Sequence, residues 1–173
     1  MSLRHALLGL LADRPGSGWD LLKGFESSLA FVWPATQSQL YTELGKMADE
    51  GLIEVTGTGA RNRKDYAITA EGRAELRRWL TDVEPERTRR NEALLRVFFL
   101  GNVSRSEARA YFEREAEVYR AFADLLEGVA TGTAWDDSEF DRFARIALEN
   151  GRRVMAANEG WARWAEAELD PET

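Results

Sequence analysis

Cysteine is absent from this chain of 173 residues, and histidine occurs once, at His5. The first absence excludes disulfide frameworks, thiolate metal sites and cysteine nucleophiles together, and a single imidazole is poor material for zinc ligation or a Ser-His-Asp triad. No apolar run approaches the roughly twenty residues needed to span a bilayer. Met1 to Leu11 lacks the basic start and small-residue exit of a signal peptide, so a cytoplasmic protein is expected. Prolines are few, and Pro15, Pro34 and Pro85 fall where helical patterns break.

What remains is a composition with 44% hydrophobic and 31% charged residues, rich in helix-forming Ala, Leu, Glu and Arg. A mainly α fold is expected, with one ordinary core and a small second unit. The net charge of −7 is unevenly placed: Met1 to Leu80 carries ten residues of each sign, so the whole excess of acid lies in Thr81 to Thr173. A neutral front with local basic clusters can approach phosphates, while an acidic remainder limits indiscriminate adhesion to DNA.

Apolar spacing predicts helices one and two from Ala6, Leu7, Leu10 and Leu11, and from Leu21, Leu22, Phe25 and Leu29. Ser17 with Asp20 resembles a cap of the second. Thr36 to Gln39 fits a capping box that opens a third helix. There Leu40, Leu44 and Met47 recur at i, i+4, i+7, which leaves Ser38, Gln39, Thr42 and Lys46 on the opposite face and Tyr41 on the flank. Ile53 and Val55, the turn Gly57-Thr58-Gly59, then Tyr66 and Ile68 read as a two-stranded hairpin. Its tip carries Arg61, Arg63 and Lys64, offset by Asp65. Thr69 caps a fourth helix with Leu76, Trp79 and Leu80.

Residues 1–82 therefore form one expected domain, 83–90 a charged linker around Pro85, and 91–170 a helical domain. Leu94, Leu95, Phe98 and Phe99 make a short apolar element. Ser104 with Glu107 is another capping box, opening a long helix through Tyr111, Val118, Phe122 and Leu125. From Phe140 onward a heptad emerges, with Phe140, Ala147, Val154 and Trp161 seven apart and Phe143, Asn150, Ala157 and Trp164 offset by three. Such an arm needs a helical partner, most simply a second copy of the chain.

Three helices followed by a basic-tipped hairpin is the order of a winged helix-turn-helix. The strings Gly18-Trp19-Asp20-Leu21, Trp33-Pro34, Gln39-Leu40-Tyr41-Thr42-Glu43-Leu44, Gly51-Leu52-Ile53 and Arg63 through Gly72 closely resemble the PadR family of transcriptional regulators, over Met1 to about Thr81. The helical remainder looks like that family's longer C-terminal dimerisation domain. Trp19 stands where the family usually has Tyr. Asp65 adds a negative charge where an aromatic or neutral residue is common, which weakens the expected wing contact. The resemblance implies a homodimer on a palindromic operator, and repression relieved by an effector, a phenolic acid for the family's namesakes.

Each signal has a plainer reading. Ser38, Gln39, Thr42 and Lys46 form an ordinary solvated face unless the wing is present, in which case Gln39 can read an adenine edge and Lys46 can neutralise a phosphate. Tyr41 suits a phosphate or core packing equally, and Glu43 faces away from DNA. Three cations in four residues beside two glycines suit phosphate contact better than a plain loop. No nucleotide loop is expected, because no suitably spaced helix follows Gly57-Thr58-Gly59. His5 is read as a surface or interface residue without a role, and Trp19, Trp33 and Trp79 as core anchors. Trp135, Trp161 and Trp164 either line an effector cavity or, more cheaply, pack between helices. Glu113 with Glu117 lacks a histidine and reads as a solvated face, so no metal or cofactor is expected. The rival to a DNA-binding regulator is a winged module that docks another protein; an enzyme has no nucleophile and base pair to build on.

Overall fold

The computed structural model describes residues 2–29, 32–59, 63–86 and 90–169. The chain divides into two compact units, Met1–Glu86 and Arg87–Thr173.

The first unit is a winged helix. Helices α1 (Ser2–Asp13), α2 (Gly18–Ser28), α3 (Gln37–Asp49) and α4 (Ala70–Thr81) surround a small antiparallel sheet of β1 (Gly16–Ser17), β2 (Ile53–Thr58) and β3 (Lys64–Ile68), in the order β1-β3-β2. Leu7, Leu8, Leu11, Phe25, Leu40 and Leu44 fill its core. Of the three caps read from the sequence for this unit, Thr69 accepts from the Gly72 N–H and the other two close as capping boxes. Ser17 and Asp20 exchange side-chain and backbone bonds at the start of α2, as do Thr36 and Gln39 at the start of α3. At the other end of α3, Gly51 takes φ 74°. Its N–H donates to the Ala48 carbonyl at 3.1 Å, and the Leu52 N–H donates to the Met47 carbonyl at 2.9 Å. This paired closure needs a left-handed residue, which glycine supplies without strain, and it turns the chain directly into β2.

Three expectations for this unit are corrected. His5 is 3% exposed. Its Nε2 lies 3.0 Å from Glu75 Oε1, and its ring stacks on Trp79 with centroids 4.6 Å apart and planes 6° apart. It therefore joins α1 to α4 instead of facing solvent. Trp19 and Trp33, expected in the core, are 54% and 44% exposed. Trp19 lies two positions before buried Leu21, roughly 200° round the helix at 100° per residue. Its ring instead receives the Lys23 ammonium at 4.9 Å. Val55 is exposed as well, at the bulge in β2 between Val55 and Gly57.

Arg78, with two 2.8 Å bonds, and then His5 hold the Glu75 carboxyl down from an ordinary 4.5 to about 2. A depressed folded-state value means that the ionised carboxylate stabilises the fold fully above pH 4.5 and loses that contribution as pH falls towards 2. Glu75→Gln should therefore lower stability by about 1 kcal/mol at neutral pH. In thermal melts the gap from the parent protein should close as pH falls through that window. A gap unchanged at pH 3 would remove Glu75 from this role.

The second unit contains α5 (Glu92–Val97), a 3₁₀ turn (Leu100–Asn102), α6 (Arg105–Gly132) and α7 (Glu139–Glu168). The Ser104 and Glu107 capping box opens α6 as read. Helices α6 and α7 pack antiparallel: Arg109 pairs with Glu166 at 3.2 Å near one end, and Arg152 with Glu127 at 2.7 Å nearer the other. Small residues let them approach closely. Ala116 and Ala162 are fully buried, and a Cβ on Gly151 would stand 3.0 Å from Leu126 Cδ1. Phe112 meets Trp161 edge to face at 5.7 Å, and the Tyr111 hydroxyl donates to the Ala93 carbonyl at 2.8 Å. Among the described residues, no helix is long and apolar enough to cross a membrane, and no cluster of side chains could hold a metal ion.

Candidate nucleic-acid interface

Helix α3 presents its two faces as its periodicity requires. Leu40, Leu44 and Met47 are buried, whereas Ser38, Gln39, Tyr41, Thr42 and Lys46 are exposed. The back of the helix is fastened by charge. On α1, Arg4 donates from Nε to Glu43 at 2.8 Å and from both terminal nitrogens to Glu50 at 2.7 and 2.9 Å. A planar guanidinium engaged bidentately on one carboxylate and singly on another fixes both roll and tilt of α3. Glu43 is thereby committed to the protein body, and its charge is compensated.

Beside α3 runs a shallow groove of about 300 Å³, bounded by Leu3 and Trp33 on the apolar side and by Ser38, Thr42 and Lys46 on the polar side. Trp33 is not among the site residues that the sequence pattern singles out. A signal for it does exist: an aromatic immediately before a helix-initiating Pro34-Ala35-Thr36 lies at the edge of the helix that Thr36 caps.

Gln39 serves the helix before it serves any ligand. Its Oε1 accepts from the Thr36 N–H at 2.8 Å and the Thr36 hydroxyl at 3.2 Å. With the oxygen held in the cap, the amide nitrogen is the group left to donate outward. Tyr41 packs its ring over the start of α2, where a Cβ on Gly18 would stand 2.6 Å from Tyr41 Cε1. The packing role is thus met, while its outer side remains exposed.

At the wing, Arg63 and Lys64 are exposed, and Arg61 lies outside the described residues. The Gly59 N–H donates to the Arg63 carbonyl at 2.7 Å, closing the strands behind the tip. Arg63 is not a bare cation: its Nε lies 3.2 Å from Asp65 and its Nη2 3.3 Å from Asp20. Asp65 is visible in the sequence as an offset to the basic cluster. Asp20 is not, because β1, which brings it there, is two residues long and has no periodicity to detect.

The Transcriptional regulator PadR-like family model matches residues 7–78, and the Virulence activator alpha C-term model matches residues 89–170. The negative transcriptional regulator PadR of Bacillus subtilis is 35% identical over 130 residues, spanning 73% of this chain and 71% of that protein. The chain belongs to the PadR-like family of transcriptional regulators. The crystal structure of B. subtilis PadR in complex with operator DNA superposes with a TM-score of 0.85 at 30% identity, covering 98% of this chain and all of the other. The same regulator in complex with p-coumaric acid superposes with a TM-score of 0.85 at 29% identity, over 98% of this chain and 99% of that one.

In this PadR-like chain the helical unit carries the second candidate surface. Phe143, Ala147, Asn150, Val154, Ala157 and Trp164 are exposed or half-exposed on α7, while Phe140 and Trp161 are half-buried against their own chain. On α6, Val118, Phe122 and Leu125 are also exposed, although the sequence placed them on one stripe with buried Tyr111. Phe98 is 83% exposed in the turn after α5. Of the tryptophans weighed for an effector cavity, Trp135 donates to the Ala130 carbonyl at 2.9 Å and faces the Arg145 guanidinium at 5.8 Å. Trp161 packs on Phe112, and Trp164 is exposed.

Proposed function

We propose that this PadR-like chain is a homodimeric repressor without enzymatic activity, acting in the cytoplasm, which binds a palindromic operator and is released by a small aromatic effector. The observation that carries the reading is the exposed polar face of α3, backed by the Arg4 pairs and flanked by the wing, in a family whose B. subtilis member has been crystallised with operator DNA. Residues 1–82 serve as the DNA-binding domain and 91–170 as the dimerisation domain. Ser38, Gln39 and Thr42 face base edges in the major groove, whereas Tyr41, Lys46 and the wing cluster of Arg61, Arg63 and Lys64 lie along the phosphate backbone, with Arg63 tied to Asp20 and Asp65. Phe140, Phe143, Ala147, Val154, Trp161 and Trp164 pair the two copies, placing half-sites about one helical turn apart. The B. subtilis regulator crystallised with p-coumaric acid supports an aromatic acid as the class of effector.

Selection of bound duplexes from random DNA tests the reading. A two-fold symmetric sequence should be enriched. On that sequence Thr42→Val should alter base preference, whereas the combined Arg61, Arg63 and Lys64 to Ala variant should lower affinity for every sequence and flatten the salt dependence, by about 0.9 in log–log slope for each phosphate no longer neutralised. Failure to enrich any sequence, with a salt dependence indifferent to the wing, would favour a winged module that docks another protein.

A further inference from the structure

We infer that Asp20 and Asp65 form a clamp that withholds Arg63 from DNA, so that the start of α2, not the wing alone, sets how strongly the wing grips the phosphate backbone. The inference rests on the DNA-binding reading above. Strand β1 is the device that makes it. Gly16 and Ser17 pair with Tyr66 and Asp65 of β3, which docks the first turn of α2 beside the base of the wing. On the other side the bulge in β2 places Gly57, with no side chain, opposite Asp65. A Cβ there would stand 3.3 Å from Asp65 Oδ2, so the glycine leaves room for that carboxylate to lie against the ladder and reach Arg63.

Asp20 is held independently of Arg63. Its Oδ2 accepts from the Ser17 N–H at 3.0 Å and the Ser17 hydroxyl at 2.6 Å as well as from Arg63 at 3.3 Å. Those two Ser17 bonds, and then the Arg63 charge, hold the Asp20 carboxyl below the usual range. It is therefore ionised throughout the physiological range. One guanidinium between two carboxylates is already compensated, even with Arg14 also acting on Asp20, so Arg63 has little charge to offer a phosphate. Both pairs are solvent-exposed, a regime in which ion pairs are weak. Removing one carboxylate therefore loosens the arginine and removing both frees it, and Lys64, whose ammonium has no carboxylate partner among the described residues, carries the wing's contact meanwhile.

The test is a mutant cycle on a duplex selected from random DNA by the parent protein, with affinity followed against salt. Arg63→Ala should change the affinity of the parent less than twofold. Asp65→Asn and Asp20→Asn should each raise it about threefold, and together they should steepen the slope by about 0.9, the release expected from one further neutralised phosphate. Arg63→Ala in the doubly substituted background should abolish both gains. Because Asp20 also caps α2, thermal melts of each variant accompany the titrations, and Asp65→Asn, which leaves the cap intact, carries the test if Asp20→Asn loses stability. Arg63→Ala losses of equal size in both backgrounds, or weaker binding on Asp65→Asn, would overturn the clamp. If Lys64→Ala and Lys46→Ala leave affinity and slope unchanged, the DNA-binding reading itself fails and takes the clamp with it.

Discussion

Replacing Gly72 by alanine is expected to unfold the winged unit at temperatures where the parent is intact. Gly72 sits in the first turn of α4, buried, with its N–H donating to the capping Thr69 hydroxyl at 3.1 Å. A Cβ at this position would lie 2.1 Å from the Leu52 carbonyl oxygen and 2.9 Å from Ile68 Cγ1. The first neighbour is backbone and cannot rotate away. The same carbonyl accepts from the Thr69 N–H at 3.1 Å and the Thr69 hydroxyl at 3.0 Å, so moving it breaks the junction that ties the α3 exit to the α4 entry. Overpacking costs about 1–3 kcal/mol where side chains can shift, and more where they cannot. At roughly 4–8 °C per kcal/mol for a domain of this size, Gly72→Ala should lower the melting temperature by about 15 °C and abolish operator binding once the unit has melted. Gly9→Ala is the matched control. Gly9 is also helical and has nothing within 4 Å of its added carbon, so it should gain up to about 1 kcal/mol. Differential scanning calorimetry on the two variants decides the matter. A Gly72→Ala protein that melts with the parent would show that the Leu52 carbonyl yields, contrary to this packing.

The contrast between those glycines shows which parts of the molecule can be read from the chain. Capping boxes at Ser17, Thr36 and Ser104 are local in sequence, each satisfied within four residues, so residue types alone locate three helix starts. The two faces of α3 follow from a period of 3.6 applied to thirteen residues. Non-local partnerships leave no such trace. His5 and Glu75 are seventy positions apart, and Asp20 and Arg63 forty-three; nothing periodic links them. Trp19 and Trp33 fail as core anchors for a related reason: hydrophobicity predicts that a side chain will seek cover, but helical phase and a loop position decide otherwise. The unpartnered stripe Val118, Phe122 and Leu125 is legible as apolar yet not as uncovered, since a single chain does not say which of its stripes its own helices will hide.

Substituting glutamate at Val154 and Trp164 together should leave the helical unit folded and convert the protein to monomers. Val154 is 42% and Trp164 60% exposed in the single chain, and in the proposed dimer a partner covers that area. In a two-fold pairing each substitution enters twice, and a buried tryptophan at the centre of an interface commonly carries at least about 2 kcal/mol. Glutamates introduced on the seam also lie close to their symmetry mates or must be desolvated, a cost of several kcal/mol per ion. The dimer dissociation constant should therefore rise by about two orders of magnitude or more. Trp161 is a poor probe despite its place in the heptad, because it already packs edge to face on Phe112 at 5.7 Å, and a charge there would damage the unit from within. Circular dichroism separates the cases: Val154→Glu with Trp164→Glu should keep its helix content, whereas Trp161→Glu should lose part of it. Operator affinity should fall with the dimer, by about 10²–10⁴, as a second half-site contact is no longer delivered at the effective concentration that linkage supplies. A doubly substituted protein that still sediments as a dimer at nanomolar concentration would move the pairing surface off α7, and the exposed Phe98 region would be the next place to seek it.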